Sequence, residues 1–405
     1  MNRVVITGSG TVNALGTDVS ETLLSMQEGK CGIGPLKFRD VDRLSIKIGA
    51  QIKGYTETDY FNRQELVLYD RVTQFAILAA RQAVNESGLI FGGELSENSG
   101  VLLGTAAGGM NTWEDNYRAV FESGKNRVHP FVVPKLMNNA ATSHVSMEFN
   151  LKGPSFTVST ACASSNHAIG LAFQMVRSGM VDVMIAGGSE AMLTFGGVKA
   201  WEGLRVMSKD ACRPFSDNRS GMVQGEGAGI FVLEKYENAI SRGANVLAEI
   251  VGFAMNSDAS DIVVPSQHGA STAMIRALKD ARMDINDVGY INAHGTGTRA
   301  NDTTECAAIT KVFGAHVKKL MVSSTKSMHG HALGGGAALE LVATILAMRH
   351  GFLPPTINWK GSDPKCDIDC VPNQSRKAQT GVALSNSFAF GGLNAVLCLT
   401  HPDFS

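Results

Sequence analysis

Short apolar runs recur along the chain, most of them ending in small residues. Arg3 to Thr7 reads RVVIT and runs into GSG; Gly100 to Leu103 reads GVLL, then GTAAGG; Val181 to Ala186 reads VDVMIA, then GGSEAM; Gly229 to Leu233 reads GIFVL. The second half continues with AEIVGFAMNSDA from Ala248, VGYINAHGTGT from Val288, MVSSTK from Met321, and GVALSNSFAFGG from Gly381 followed by NAVLCL. Such runs lack a polar alternate face, so they predict strands buried on both sides with glycine-rich ends. Between them, Tyr69 to Ser87, Cys162 to Arg177, Ser271 to Arg282 and Ala337 to Arg349 carry apolar residues at helical spacing, the first stopped by Gly88. Strands alternating with helices predict an α/β layered fold. The pattern occurs twice, over 1–245 and 246–405, with faint similarity of letters. No low-complexity linker separates the halves, which predicts one compact body.

Composition narrows the function classes. The chain has 405 residues, 44% hydrophobic and 18% charged, which excludes a disordered chain and leaves ample material for a core without staples. Lys plus Arg is 36 and Asp plus Glu is 37, a net charge of -1 that argues against a generic nucleic-acid binder. Seven cysteines at irregular positions do not form a disulfide framework; Cys366 and Cys370 read as a surface-loop pair rather than a zinc site. The N-terminal MNRVVITGSG reads as a first strand rather than a signal peptide, and no apolar run is long enough to span a membrane, so the expectation is a soluble cytoplasmic protein.

Four segments carry candidate chemistry. In STACASS, Cys162 sits among small residues at the start of an amphipathic helix. A helix N-terminus favours an anion, which predicts a thiol pKa below its usual value of about 8.5, and it supplies backbone N–H groups for an oxyanion. In NAHGTGT, a strand delivers His294 onto a glycine-rich turn, a rigid mounting for an acid, base or hydrogen-bond donor. SSTKSMHGHALGGG brings Lys326, His329 and His331 before a helix that carries Glu340; Gly330 leaves the directions of the two histidines open, and no third metal ligand is apparent. In NSFAFGG, glycines let the chain approach a ligand and Phe390 is placed to gate a pocket. GSG after the first strand fails as a dinucleotide fingerprint because residue 13 is Asn, and no phosphate loop of the GxxxxGK type exists.

Taken in order, these motifs resemble the β-ketoacyl-acyl carrier protein synthases, condensing enzymes of thiolase-like fold, from Arg3 to Leu399. Within that family WEGLRVMSKDACRPFS and VQGEGAG look nearest to nodulation protein E and to type II polyketide and aryl polyene ketosynthases. The resemblance implies two similar βαβαβ halves in an α-β-α-β-α arrangement. It implies a decarboxylative Claisen condensation in which Cys162 carries the acyl chain, backbone N–H groups of Cys162 and Phe390 form the oxyanion hole, and His294 and His331 bond the malonyl thioester oxygen. Lys326 and Glu340 would hold His331 and the local charge, with Glu305 joining them. Thr296 and Thr298 would bond the phosphopantetheine arm, and Phe388 and Phe390 would line the gate. No metal or nucleotide cofactor is implied. Ala389 and Leu393 depart from the family's Gly and Thr beside the gate. Ala107 and Val132 stand where larger pocket-closing residues are usual, which predicts a longer or straighter tunnel for a stiff, extended chain. An acidic acyl carrier protein would dock on Arg127, Arg205 and Lys125, since the usual basic cluster near 64–68 is absent and only Arg63 and Arg71 flank it. Family members are dimers, so a homodimer or a heterodimer with a chain-length-factor-like homologue is expected. A housekeeping fatty-acid enzyme is the alternative; a non-catalytic chain-length-factor subunit would lack the nucleophile, and a thiolase would place a second active-site cysteine where this chain has FGG.

Overall fold

The structure, a computed structural model, describes residues 1–404. Five strands form the first half: β1 (Val4–Asn13), β2 (Ser99–Gly104), β3 (Ser155–Val158), β4 (Val183–Glu190) and β5 (Gly227–Lys235). Five form the second: β6 (Ala248–Ser257), β7 (Val288–Asn292), β8 (Met321–Ser323), β9 (Val382–Ala389) and β10 (Leu393–Thr400). They lie in the order β8-β7-β9-β10-β6-β1-β5-β4-β2-β3. In the first half β2 pairs parallel with β3 and β4, while β5 pairs antiparallel with β4 and β1. The second half has the same pattern: β7 is parallel to β8 and β9, and β10 is antiparallel to β9 and β6. The faint repeat of the sequence is thus a full repeat of topology. The halves join where Val4 to Ile6 of β1 pairs with Ala248 to Ile250 of β6.

The helices used below are α1 (Arg71–Ser87), α2 (Met110–Phe121), α3 (Ala140–Glu148), α4 (Ser164–Ser178), α5 (Phe195–Gly203), α6 (Gln267–Ala281), α7 (Arg299–Phe313) and α8 (Leu333–His350). α4 and α8 pack between the two halves of the sheet, with α1 and α3 outside the first half and α6 and α7 outside the second. This is the expected α-β-α-β-α layering. It explains why α8 is buried from Leu333 to Met348. A helix sheathed by sheet on both sides is apolar all round, and within that stretch Glu340 is the only charged residue.

Close packing of the central helices depends on two strand-end glycines. A Cβ on Gly104 of β2 would stand 2.3 Å from the Ser164 backbone, and one on Gly188 of β4 would stand 2.5 Å from the Ser165 Cβ. Either substitution would push α4, and with it Cys162, off the sheet. The apolar pattern missed α2, α3, α5, α7 and the short edge strand β3, whose Phe156 is exposed. The sequence reading of Cys366 and Cys370 as a surface pair is corrected. Both are buried, in one apolar cluster with Cys306, because the loop that carries them folds against the core of the second half. Among the described residues no helix is long and apolar enough to cross a membrane.

Candidate active site

Cys162 lies in a single 3-10 turn, Ala161–Ala163, immediately before α4. Ala161 adopts φ +49°, a left-handed conformation that is uncommon outside glycine. The turn is locked locally: Ser164 Oγ accepts from the Thr160 N–H at 2.9 Å and donates to Ala161 O at 2.7 Å. A longer-range bond bolts it to β9, where Ser387 Oγ donates to the Cys162 carbonyl at 3.1 Å. The thiol therefore projects from a strained, fixed turn and lines a narrow cleft of about 90 Å³. Also on the cleft wall are His294, His331, Phe388, Phe390, Thr296 and Thr298. Residues from both halves of the chain, more than 200 positions apart for Cys162 and Phe390, thus meet at one point.

The backbone N–H groups of Phe390 and of Cys162 itself face the sulfur. The expectation of a depressed thiol pKa is not met. Burial pushes the Cys162 thiol up to about 12; the Lys326 ammonium draws it down, and the buried Glu190 carboxyl pushes it further up. A helix N-terminus stabilises a thiolate less than removal from water destabilises it. The thiol rests protonated.

Lys326 is 1% exposed and forms an ion pair with Glu340, equally buried. Its Nζ also donates to the His294 carbonyl at 2.7 Å and lies 3.4 Å from His294 Nδ1. This corrects the expected arrangement: Lys326 braces His294, not His331. An ammonium has only donors, so Nδ1 of His294 accepts and its proton sits on Nε2. Glu305 does not join the Lys326–Glu340 pair. Its carboxylate accepts from the N–H groups of His294 at 2.9 Å and Gly295 at 2.7 Å, fixing the turn on which His294 stands. Burial pushes the Glu340 carboxyl up to about 7 against the pull of Lys326.

The two histidines of the HGH segment separate sharply. His329 is enclosed, with Nδ1 paired to Gly330 O and Nε2 to Thr325 Oγ1, each at 2.9 Å. His331 is 1% exposed, and neither of its ring nitrogens has a hydrogen-bond partner. A buried imidazole left unsatisfied costs stability unless a ligand completes it. Its ring stands 5.5 Å from that of His294, nearly perpendicular at 85°. Both rings have pKa values well below the usual histidine range, chiefly through burial and then through the Lys326 charge. Both are therefore neutral donors at neutral pH. The rate of malonyl thioester decarboxylation is expected to stay flat as pH falls from about 8 to about 6. An acidic limb centred near about 6.5 in the pH–rate profile would mean that one imidazole titrates normally.

The other predicted residues divide. Thr296 and Thr298 point together, their hydroxyls 2.9 Å apart, and Thr298 also caps α7. Ala107 and Val132 do not line the cleft; the Ala107 N–H is turned to the buried Glu190 carboxylate at 3.3 Å, and Val132 sits beside the exposed Phe131 and Val133. Arg127, Lys125 and Arg205 are exposed. Arg71 is not a surface cation, because Glu226 holds it through two hydrogen bonds at 2.9 and 2.7 Å.

Two site residues escaped the sequence reading. Glu190, at the end of β4, accepts from Ala106 N–H at 2.7 Å, Gly334 N–H at 3.1 Å and Thr105 Oγ1 at 3.1 Å. It ties the turn after β2 to the start of α8, and burial pushes its carboxyl up to about 7. Its signal was a lone acid closing the buried run VMIAGGSE. Ser387 carried no signal, because its role is to meet a backbone carbonyl 225 residues away.

Comparison with known proteins agrees with this geometry. Residues 1–239 match the N-terminal domain of β-ketoacyl synthase and residues 247–360 its C-terminal domain. The chain is 47% identical over 395 residues to a nodulation protein E of a Rhizobium species, covering 98% of each. It is 41% identical to a 3-oxoacyl-[acyl-carrier-protein] synthase 2 of Synechocystis, covering 98% of this chain and 97% of that one. Among solved structures, the ishigamide ketosynthase/chain length factor superposes with a TM-score of 0.94 at 33% identity, covering 98% and 99% of the two chains. With its Cys162 turn, facing histidines and duplicated sheet in place, the chain belongs to the β-ketoacyl synthase family of acyltransferases.

Proposed function

We propose that the chain elongates acyl groups held on an acyl carrier protein, within a type II polyketide or polyene pathway. The observation that carries this reading is one buried cleft in which Cys162, two backbone N–H donors and two neutral imidazoles converge. In the first step the Cys162 sulfur attacks the acyl thioester carbonyl, the thiol proton passes to the departing carrier thiolate, and the N–H groups of Cys162 and Phe390 hold the oxyanion. In the second step malonyl-carrier protein loses CO2. The electron pair of the broken C–C bond forms an enolate, and its oxygen receives the Nε2–H of His294 and a ring N–H of His331. The enolate carbon attacks the acyl-Cys162 carbonyl, a C–C bond forms, the C–S bond breaks, and the departing Cys162 thiolate takes a proton from solvent. Thr296 and Thr298 bond the phosphopantetheine arm in both steps.

The carrier protein docks through the exposed Arg205, Arg127 and Lys125. A second ketosynthase-fold chain, a copy or a chain-length-factor-like homologue, covers the edge strand β3 and the apolar side chains of Phe131, Val133, Met137 and Phe156. We read the small Ala107 and Val132, neither of which lines the Cys162 cleft in the single chain, as leaving room for a stiff, extended chain once the second chain is in place. The working compartment is the cytoplasm. The test is intact-protein mass spectrometry after mixing with saturated and conjugated acyl-carrier proteins of several lengths. A preference for conjugated chains is expected. Equal or better loading of short saturated chains would assign the protein to housekeeping fatty-acid synthesis instead, a reading that the 41% identity to a 3-oxoacyl synthase 2 favours.

A further inference from the structure

Trp201 lies on α5 and takes part in none of the steps above, yet its ring is part of the cleft wall. It stacks on Phe390, with centroids 5.7 Å apart and planes 19° from parallel. Phe390 has two duties: its backbone N–H faces the Cys162 sulfur, and its ring closes the cleft. The chain after it takes a conformation that suits glycine, since Gly391 and Gly392 both have positive φ, +80° and +68°. The chain before it does not, since residue 389 is Ala. Backbone bonds join the glycine turn to the neighbouring loop, Gly391 N–H to the carbonyl of the exposed Ile262 and Asp258 N–H to Gly392 O, both at 2.8 Å, and Asn394 Nδ2 donates to Gly392 O at 3.3 Å. The ring stack ties the Phe390 side chain to a different element, and α5 ends two residues before the exposed Arg205.

We propose that Trp201 is a positioning and specificity-determining residue, the latch on which Phe390 rests. It rests on the reading of Cys162 and Phe390 given above. With the latch closed, the Phe390 N–H is held at the thiol, which favours transfer of short acyl groups that fit the cleft as it stands. A long acyl chain needs a wall to move, and the Phe390 turn is the wall with a hinge. Loading a long chain therefore breaks the stack, and the stack sets how strongly short and long donors are distinguished.

The experiment compares Trp201→Ala and Trp201→Phe with the unmodified protein. Cys162 acylation is followed by intact mass with short and long saturated acyl-carrier proteins, alongside thermal unfolding. Trp201→Ala is expected to slow short-donor loading about two- to tenfold, the weight of one aromatic stack, and to leave long-donor loading unchanged or faster. Trp201→Phe keeps a ring and is expected to restore both rates to within about twofold. Acylation by a long donor is expected to change tryptophan emission in the unmodified protein and not in Trp201→Phe, where Trp113 and Trp359 remain as background. An equal loss with short and long donors, with lowered thermal stability, would reduce Trp201 to a packing residue. No loss in Trp201→Ala, or no rescue in Trp201→Phe, overturns the latch. If the unmodified protein takes no acyl group from any donor, the ketosynthase reading falls and the latch with it.

Discussion

Replacing Cys162 with alanine is expected to abolish acyl loading and to lower condensation by at least about 10⁴-fold, the scale on which covalent catalysts lose activity without their nucleophile. The expectation is specific because the site survives the change. The bond from Ser387 reaches the backbone carbonyl of Cys162, not its sulfur, and the Thr160–Ser164 lock is untouched. His294 and His331 keep their places, so malonyl-carrier protein is expected to lose CO2 in the variant without forming a new C–C bond. Intact mass with an acyl-carrier donor reads the first half, and release of CO2 from malonyl-carrier protein reads the second. An acyl adduct on the alanine variant would move the nucleophile elsewhere.

His294→Ala and His331→Ala are each expected to cut decarboxylation and condensation by about 10²–10³, or about 2.7–4 kcal/mol, while leaving Cys162 loading within a few-fold. The magnitude is that of one donor removed from a dry site where a charge develops. The two variants differ in their effect on folding, and this separates catalysis from damage. His294→Ala leaves Lys326 with Glu340 and with the carbonyl of residue 294, so no charge is stranded. His331→Ala deletes a ring that makes no hydrogen bond within the chain, so its unfolding temperature is expected to stay level or rise. A His331 variant that decarboxylates at the original rate would remove that residue from the enolate site.

The halves of the argument have different sources. The alternation of buried runs and amphipathic helices was legible in the chain because most strands are covered on both faces and α8 is covered on all sides, so burial writes itself into the residues. Cys162 was legible for a local reason: a cysteine among small residues ahead of a helix defines its own turn. The same holds for His294, delivered by a strand onto Gly295. Local sequence also marked Phe390, since only the glycines at 391 and 392 permit the positive φ that follows it.

What tertiary structure alone decided is every relation between the halves. Sequence placed Lys326 beside His331, five residues away; the fold placed it against His294, thirty-two residues away, because β7 and β8 are parallel neighbours and bring the ends of their strands together. Spacing left His329 and His331 equivalent, and only packing buried one in internal bonds and left the other open to the cleft. The protonation states followed the same rule. A helix N-terminus predicted an activated thiol, but desolvation scales with what surrounds the group, and that is contributed by segments remote in the chain. Glu190 and Trp201 were unreadable for this reason: a carboxylate that joins two loops, and an indole that meets a phenylalanine 189 positions on, acquire their roles only when the fold brings those partners into reach.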